Sequence, residues 1–249
     1  MSGHVIGNEF AKMRHLHTSL IAAAMTAAGL MLALFTVASS PETSVETPAV
    51  WDALLAGLSL GIPLVSPLLL AVMASRLVDI EHQGNGWLLQ STAAITPGAV
   101  CRAKTAALGL IVTASTIVTG ILTVLVGKLL VGITAPIPLG RFTVFIGAMV
   151  IVNLALLALH VLISAKVDNQ LVALGIGACG CVAAVFSQGL PAAIAHITPW
   201  GYYALAKAAD YQADGFVPQA VSVPSIAVLA IIVGAIFTVI THRFDRQEA

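Results

Sequence analysis

The sequence predicts an all-α integral membrane protein with six transmembrane helices, and three observations predict it. Only 9% of the 249 residues are charged, where a soluble domain carries about 25%. The hydrophobic share is 59%, which leaves too little polar surface to cover a core in water. Six apolar segments are long enough to cross a bilayer, which takes about 20 residues. A chain in lipid finds no water for its backbone groups, so each spanning segment satisfies them internally as a helix. The whole of 1–249 reads as one membrane domain, with no linker and no internal repeat.

The elements follow in chain order. Residues 1–17 form an arm. Within it "NEFAKMRHLH" (8–17) puts Phe10 and Met13 on one side of a helix, with Glu9, Lys12 and Arg14 among the polar positions. That pattern predicts an amphipathic helix on the inner leaflet. The first span, about 18–38, carries no charge. Its length exceeds the about 7–15 apolar residues of a signal peptide, so it is expected to remain as a span. The second and third spans are about 53–75 and 105–127, joined by a polar segment, 76–104. The fourth and fifth are about 143–165 and 171–190. An outer segment, 191–220, precedes the sixth, about 221–241, which has Pro224 near its entry.

Lysine and arginine orient the bundle. With both termini inside, the inner segments hold Lys12, Arg14, Arg76, Arg102, Lys104, Lys166, Arg243 and Arg246, and the outer ones only Lys128, Arg141 and Lys207. Cytoplasmic loops carry the excess of Lys and Arg, so both ends are expected in the cytoplasm and the chain in the cytoplasmic membrane. Net charge is formally zero and gives no reason to expect a nucleic-acid partner.

Catalytic signatures are missing. No HExxH or GxSxG occurs, which removes two common hydrolase motifs. "GILTVLVGKLL" (120–130) has the wrong spacing for a phosphate-binding loop and lies in a span. No catalytic, cofactor or metal residue is therefore assigned, and the chain shows no energy source of its own. Cys101, Cys179 and Cys181 are an odd set, two of them in an apolar run, and read as reduced thiols. No Asp, Glu, Lys or Arg lies within a span as drawn. Asn153 and His160, two turns apart on span four, are either interhelical hydrogen-bonding groups or the lining of a translocation path. In span five Ala173, Gly177 and Cys181 recur every fourth residue, a stripe that suits close packing within the chain or a seam with a second copy.

The polar segment is the most informative stretch. "RLVDIEH" can carry span two into the cytosol, and Gly84 stops it. Asn85 can cap a new helix, with Gly86 beside it and Trp87, Leu88, Ser91, Ala94 and Ile95 roughly on one side. Pro97 ends it and pushes Thr96 extended, leaving a helix of about ten residues, about 15 Å long. Ala99 then begins the helix of span three. A short helix thus lies across the inner ends of two projecting spans. It either rests in the headgroups or receives another protein.

Taken together, these residues resemble the membrane subunit of a six-span ABC-type exporter, and most closely the permeases of lantibiotic self-protection. That family carries Glu, Lys and a second basic residue on its arm, as Glu9, Lys12 and Arg14 stand here. Its first inner loop shows Glu, Trp, Pro, Arg and Lys, matched by Glu81, Trp87, Pro97, Arg102 and Lys104. Leu88 departs from the basic residue the family often has after the Trp. The resemblance implies a separate cytoplasmic ABC ATPase, in two copies, that binds ATP and Mg. It implies that the short helix is a coupling helix anchored by Trp87 and Leu88 with Glu81 as a polar partner. It implies a second permease, the same chain or a related one, and a re-entrant helical segment on the outer side. There "TPWGYYALAKAADYQ" (198–212) is expected as a helix with Trp200, Tyr203 and Tyr211 on one side, acting as gate or interface helix. The implied activity is export of an amphipathic or hydrophobic substrate: a peptide antibiotic, a lipid-like molecule or a drug. A carrier or channel that works without an ATPase is the competing reading, resting on Asn153 and His160. A scaffold or sensor domain and a membrane-embedded enzyme have no supporting residues.

Overall fold

The computed structural model describes residues 3–13, 16–40, 44–212 and 215–247. An arm helix, α1 (Gly3–Met13), precedes α2 (Thr18–Ala38). Next come α3 (Ala49–Gln83), a short α4 (Gly86–Thr92), α5 (Pro97–Leu129) and α6 (Leu139–Lys166). Helix α7 (Gln170–Phe186) continues as one 3₁₀ turn to Gly189, and α10 (Val223–Gln247) closes the chain. Among the described residues, six helices (α2, α3, α5, α6, α7 and α10) are long and apolar enough to cross a membrane, as the sequence predicts.

Two of them are too long for the bilayer alone. Helices α3 and α5 have 35 and 33 residues, each about 50 Å at 1.5 Å per residue, against a hydrocarbon core of about 30 Å. They project together at the end that carries residues 76–104. Thr96 caps α5, its hydroxyl accepting from Ala99 N–H at 3.3 Å. Pro97 is the first helical residue, where its missing N–H costs nothing. The helix of span three therefore begins two residues before the expected Ala99.

Helix α3 lies at the centre. Its Gly57 and Gly61 face α2, where a Cβ on Gly57 would stand 2.5 Å from the Ala33 Cα and one on Gly61 3.2 Å from the Gly29 Cα. This small-xxx-small approach is the usual means of close helix contact in lipid. The stripe on α7 does the same on the other side of α3. A Cβ at Gly177 would meet the Ala71 Cβ at 2.6 Å and the Pro67 carbonyl at 3.1 Å, and Ala173, Gly180 and Ala184 are buried along the same face. The stripe thus packs within the chain. Pro63 inside α3 lacks an N–H, so the Ser59 carbonyl loses its helical donor. Gln188 Nε2 replaces that donor at 3.3 Å.

The outer segment differs from the expected single helix over 198–212. A short α8 (Ala192–Ala195) is followed by a 3₁₀ turn at Pro199–Gly201, α9 (Tyr202–Leu205), and an antiparallel hairpin of β1 (Ala209–Gln212) and β2 (Gly215–Pro218). Tertiary hydrogen bonds take the backbone at Ala208 away from a helix. Its N–H donates to Ser59 Oγ at 3.2 Å, and its carbonyl accepts from Arg141 Nη2 at 2.8 Å and from Gln219 N–H at 2.9 Å. Beyond it, Tyr211 and Phe216 pair across the strands at 5.3 Å between ring centroids. Gly215, at φ 122°, takes a conformation that side chains resist.

Candidate functional site

The ends of α3 and α5 that flank α4 are joined to the arm by a closed ring of four charges. Lys104 on α5 donates to Glu9 Oε2 at 2.8 Å and to Glu81 Oε1 at 2.7 Å. Lys12 on α1 donates to Glu9 Oε1 at 2.8 Å and to Glu81 Oε1 at 2.7 Å. The third proton of the Lys104 ammonium goes to the Leu77 carbonyl at 2.9 Å, so all three donors of that group are used. The side chain of Lys104 is 0% exposed, and Glu9 and Glu81 are 2% exposed. Buried charges are tolerated when paired and hydrogen-bonded, and two carboxylates against two ammoniums leave the ring neutral. Burial opposes the charge on Lys12, but the Glu81 and Glu9 carboxylates outweigh it and hold the ammonium above the ordinary lysine range.

This placement revises the expected arm. Met13 is buried and Phe10 is 37% exposed, so they do not share a face against the body. Glu9 turns inward instead, onto Lys104, whose other carboxylate partner is Glu81. Arg14 lies outside the described residues. Glu81, expected on the docking surface, is likewise turned inward, and its Oε2 accepts from Gln90 Nε2 at 2.6 Å. That last bond ties α4 to the ring.

Helix α4 has seven residues rather than about ten. Gly84 stands at the end of α3 and Asn85 at the cap of α4, where Asn85 adopts φ 50° without a side-chain capping bond. Gly86 is packed so closely on Glu81 that a Cβ would overlap its carboxylate. At the far end Ile95 N–H returns to the Gln90 carbonyl at 2.9 Å and Ala94 N–H to that of Ser91 at 3.0 Å. This is a Schellman cap with Ala94 at φ 57°, and it turns the chain four residues before the helix was expected to end. Leu88 and Leu89 are 66% and 65% exposed, and Ser91 is exposed beside them. Trp87, expected to point outward with Leu88, is half-buried against its own chain. Its Nε1–H donates to His82 Nδ1 at 3.2 Å, and its ring stands edge-on to the imidazole. An indole N–H seeks an acceptor when it is covered, and His82 supplies one. Ile95 and Pro97 are partly covered.

Deeper in the membrane, Asn153 and His160 on α6 are both fully buried, but they are used differently. Asn153 donates to Thr116 Oγ1 at 3.1 Å and accepts from the Tyr203 hydroxyl at 2.6 Å. Both ring nitrogens of His160 lack a hydrogen-bond partner among the described residues. Tyr203 is buried, and its hydroxyl reaches the middle of α6, so the outer segment dips into the bundle. Trp200 lies on Gly180 of α7, and Tyr211 is exposed on the hairpin. Cys101, Cys179 and Cys181 are free thiols.

Several residues of the site were not singled out from the sequence. The family resemblance picks out Lys104, but nothing local in the sequence distinguishes a buried lysine from a flanking one. No motif marks His82, Gln90, Leu89 or Asp168 in the sequence. The repeated leucine at 88 and 89, in a polar segment between two apolar spans, is the signal in the sequence for the exposed pair.

The model of a known family, the ABC-2 family transporter protein, matches residues 5–184 of this chain, from the arm through most of α7. No curated protein matches, and no solved structure matches.

Proposed function

The chain belongs to the ABC-2 family of transporter proteins, the membrane subunits of ABC transporters, and from that premise we propose that it is an ATP-driven exporter subunit worked by a separate ATPase docked on α4. The observation that carries this reading is α4 itself. It is a short helix between α3 and α5, bound to the charge ring through Gln90, that leaves Leu88 and Leu89 exposed. Exposed aliphatic side chains on a rigid element suit an anchor that a partner's cleft desolvates. ATP and Mg belong to the partner, in two copies. A second permease, this chain again or a related one, completes the path.

The residues of this chain then act as a joint. A displacement of α4 reaches Glu81 through Gln90, and from Glu81 it reaches Lys104 and Lys12 together. The projecting ends of α3 and α5 and the arm therefore move as one body. His160, buried with no hydrogen-bond partner among the described residues, is the group on the path best placed to meet a polar atom of the cargo. Asn153 is already engaged by Thr116 and Tyr203. The cargo class is amphipathic or hydrophobic, since the mid-membrane region offers no charged side chain; a lantibiotic-like peptide is the finer proposal.

The test is co-purification of the tagged chain with its ATPase in mild detergent, for the wild type and for Leu88→Ala with Leu89→Ala. Loss of the complex in a variant that keeps the wild-type thermal midpoint supports docking on α4. Retention of a full complex with normal ATP-dependent transport refutes it.

A further inference from the structure

His82 is the last-turn histidine of α3, and its two ring nitrogens are in unequal company. Nε2 lies 2.9 Å from the Ser164 carbonyl. A carbonyl only accepts, and this one belongs to the last turn of α6, where carbonyls have no helical donor. Nε2 therefore carries a proton in every state that keeps this contact. Nδ1 has two suitors with opposite demands. Trp87 Nε1–H, 3.2 Å away, is a donor and needs a lone pair there. Asp168 Oδ1, 2.9 Å away, is an acceptor and needs a proton there. One nitrogen cannot serve both.

We propose that the proton on His82 Nδ1 selects which neighbour holds the end of α3: Trp87 of the docking helix when the ring is neutral, Asp168 of the α6–α7 turn when it is charged. In the neutral ring the Nδ1 lone pair accepts from Trp87 and repels the carboxylate, which at 85% side-chain exposure is free to swing into solvent. In the charged ring Nδ1–H binds Asp168, and the indole N–H loses its acceptor. The other charged groups around the imidazole are accounted for. Asp79, on the same helix, holds the amide of Gln83. Glu81 is closed within the ring with Lys12 and Lys104. Lys166 lies over the ring of Phe244 on α10 at 5.2 Å, and Asp245 of α10 is taken by Arg102 at 3.1 Å. Asp168 is thus the carboxylate left to meet the imidazolium. Trp87 fastens the first turn of α4, so acidification frees that turn while Gln90 still holds the second. As regulation of the ATPase, this rests on α4 being the docking element; the exchange of partners at Nδ1 does not.

The test follows the indole N–H of Trp87 by ¹⁵N NMR on the full chain in nanodiscs, from about pH 8 to about pH 5, the range in which histidine changes charge. The resonance is assigned by its loss in Trp87→Phe. A single titration toward a non-hydrogen-bonded shift is expected. It disappears in His82→Gln, and it moves to lower pH in Asp168→Asn, a surface change that leaves the fold intact. A resonance that does not move in the wild type overturns the proposal, as does one that titrates identically in His82→Gln or in Asp168→Asn. ATPase binding is measured on the same samples, and an about fivefold weakening at the acid end is expected for loss of one net hydrogen bond. If the resonance titrates but no ATPase binds at any pH, the docking reading fails and the partner exchange stands.

Discussion

Lys104→Met is the most direct perturbation of the inner joint. The substitution keeps the apolar stem and deletes the ammonium. It removes three hydrogen bonds, two of them to carboxylates that are 2% exposed. Glu9 and Glu81 are then left with one lysine between them, so one buried negative charge has no counterpart. Breaking a buried ion pair from one side costs about 3–5 kcal/mol. For a chain of this size about 2–4 °C of thermal midpoint corresponds to each kcal/mol, so the loss is about 6–20 °C. The assay is the thermal midpoint of the detergent-solubilised chain, followed by monodisperse elution. Adding Glu9→Gln restores the balance of one carboxylate and one ammonium, and the double variant is expected to recover part of the loss. The coupling between the two changes then falls at about 1–3 kcal/mol, as for residues in direct contact. A Lys104→Met midpoint within 2 °C of the wild type, measured at about 1 °C precision, refutes the buried ring, and so does a double variant less stable than the single one.

Other expectations follow from single sites. Ala94→Gly relieves a left-handed residue in the cap of α4 and is expected to stabilise that turn by about 1 kcal/mol, read as slower amide exchange at Ile95. Gly177→Leu forces α7 off Ala71 and Pro67 of α3 and is expected to cost at least about 3 kcal/mol, above the usual overpacking range of about 1–3, or to abolish expression of folded protein. Lys12 sits above the ordinary lysine range in the folded chain. Its contribution is therefore complete below about pH 10.4 and is lost as pH rises through the raised value, not at neutrality. A fluorescent label on Phe10→Cys should report arm release only in that alkaline window, and Lys12→Gln should abolish the pH dependence.

The spans were legible because hydrophobicity over about 20 residues is a long-range average that no single residue spoils. The projecting ends of α3 and α5 were legible in part, since "RLVDIEH" and Pro97 punctuate them locally. The ring was not. Glu9, Lys12, Glu81 and Lys104 lie up to 95 positions apart, and each taken alone is an ordinary flank of a membrane helix. The side of α4 that carries Trp87 differs from the expected one because helical spacing places residues on a circle but does not say which arc meets the body. His82, an acceptor two residues before Gly84, decided it. The hairpin is not legible either, for a different reason. Ala204, Ala206, Ala208 and Ala209 favour a helix, and tertiary bonds from Ala208 to Ser59 and Arg141 override them.

The inner joint and the outer cap share one helix. Glu81 and Ser59 both belong to α3, 22 residues apart, about 33 Å along the axis. At Ser59 the hydroxyl holds the Ala208 N–H and the carbonyl, freed by Pro63, holds Gln188. The stretch from Gln188 to Ala208 is therefore hung at both ends on the same turn of α3, while between those ends it is fastened to α6 through Tyr203 and Asn153. A tilt of α3 driven at Glu81 displaces the ends of that segment and leaves its middle behind, which strains the Tyr203–Asn153 bond first. Tyr203→Phe removes that bond and keeps the ring. With the restraint gone, the cap should open with less work from α4. Under the docking reading, basal ATP hydrolysis by the complex should rise while its stimulation by cargo falls. An unchanged ratio of stimulated to basal hydrolysis would mean that α3 does not connect the two ends.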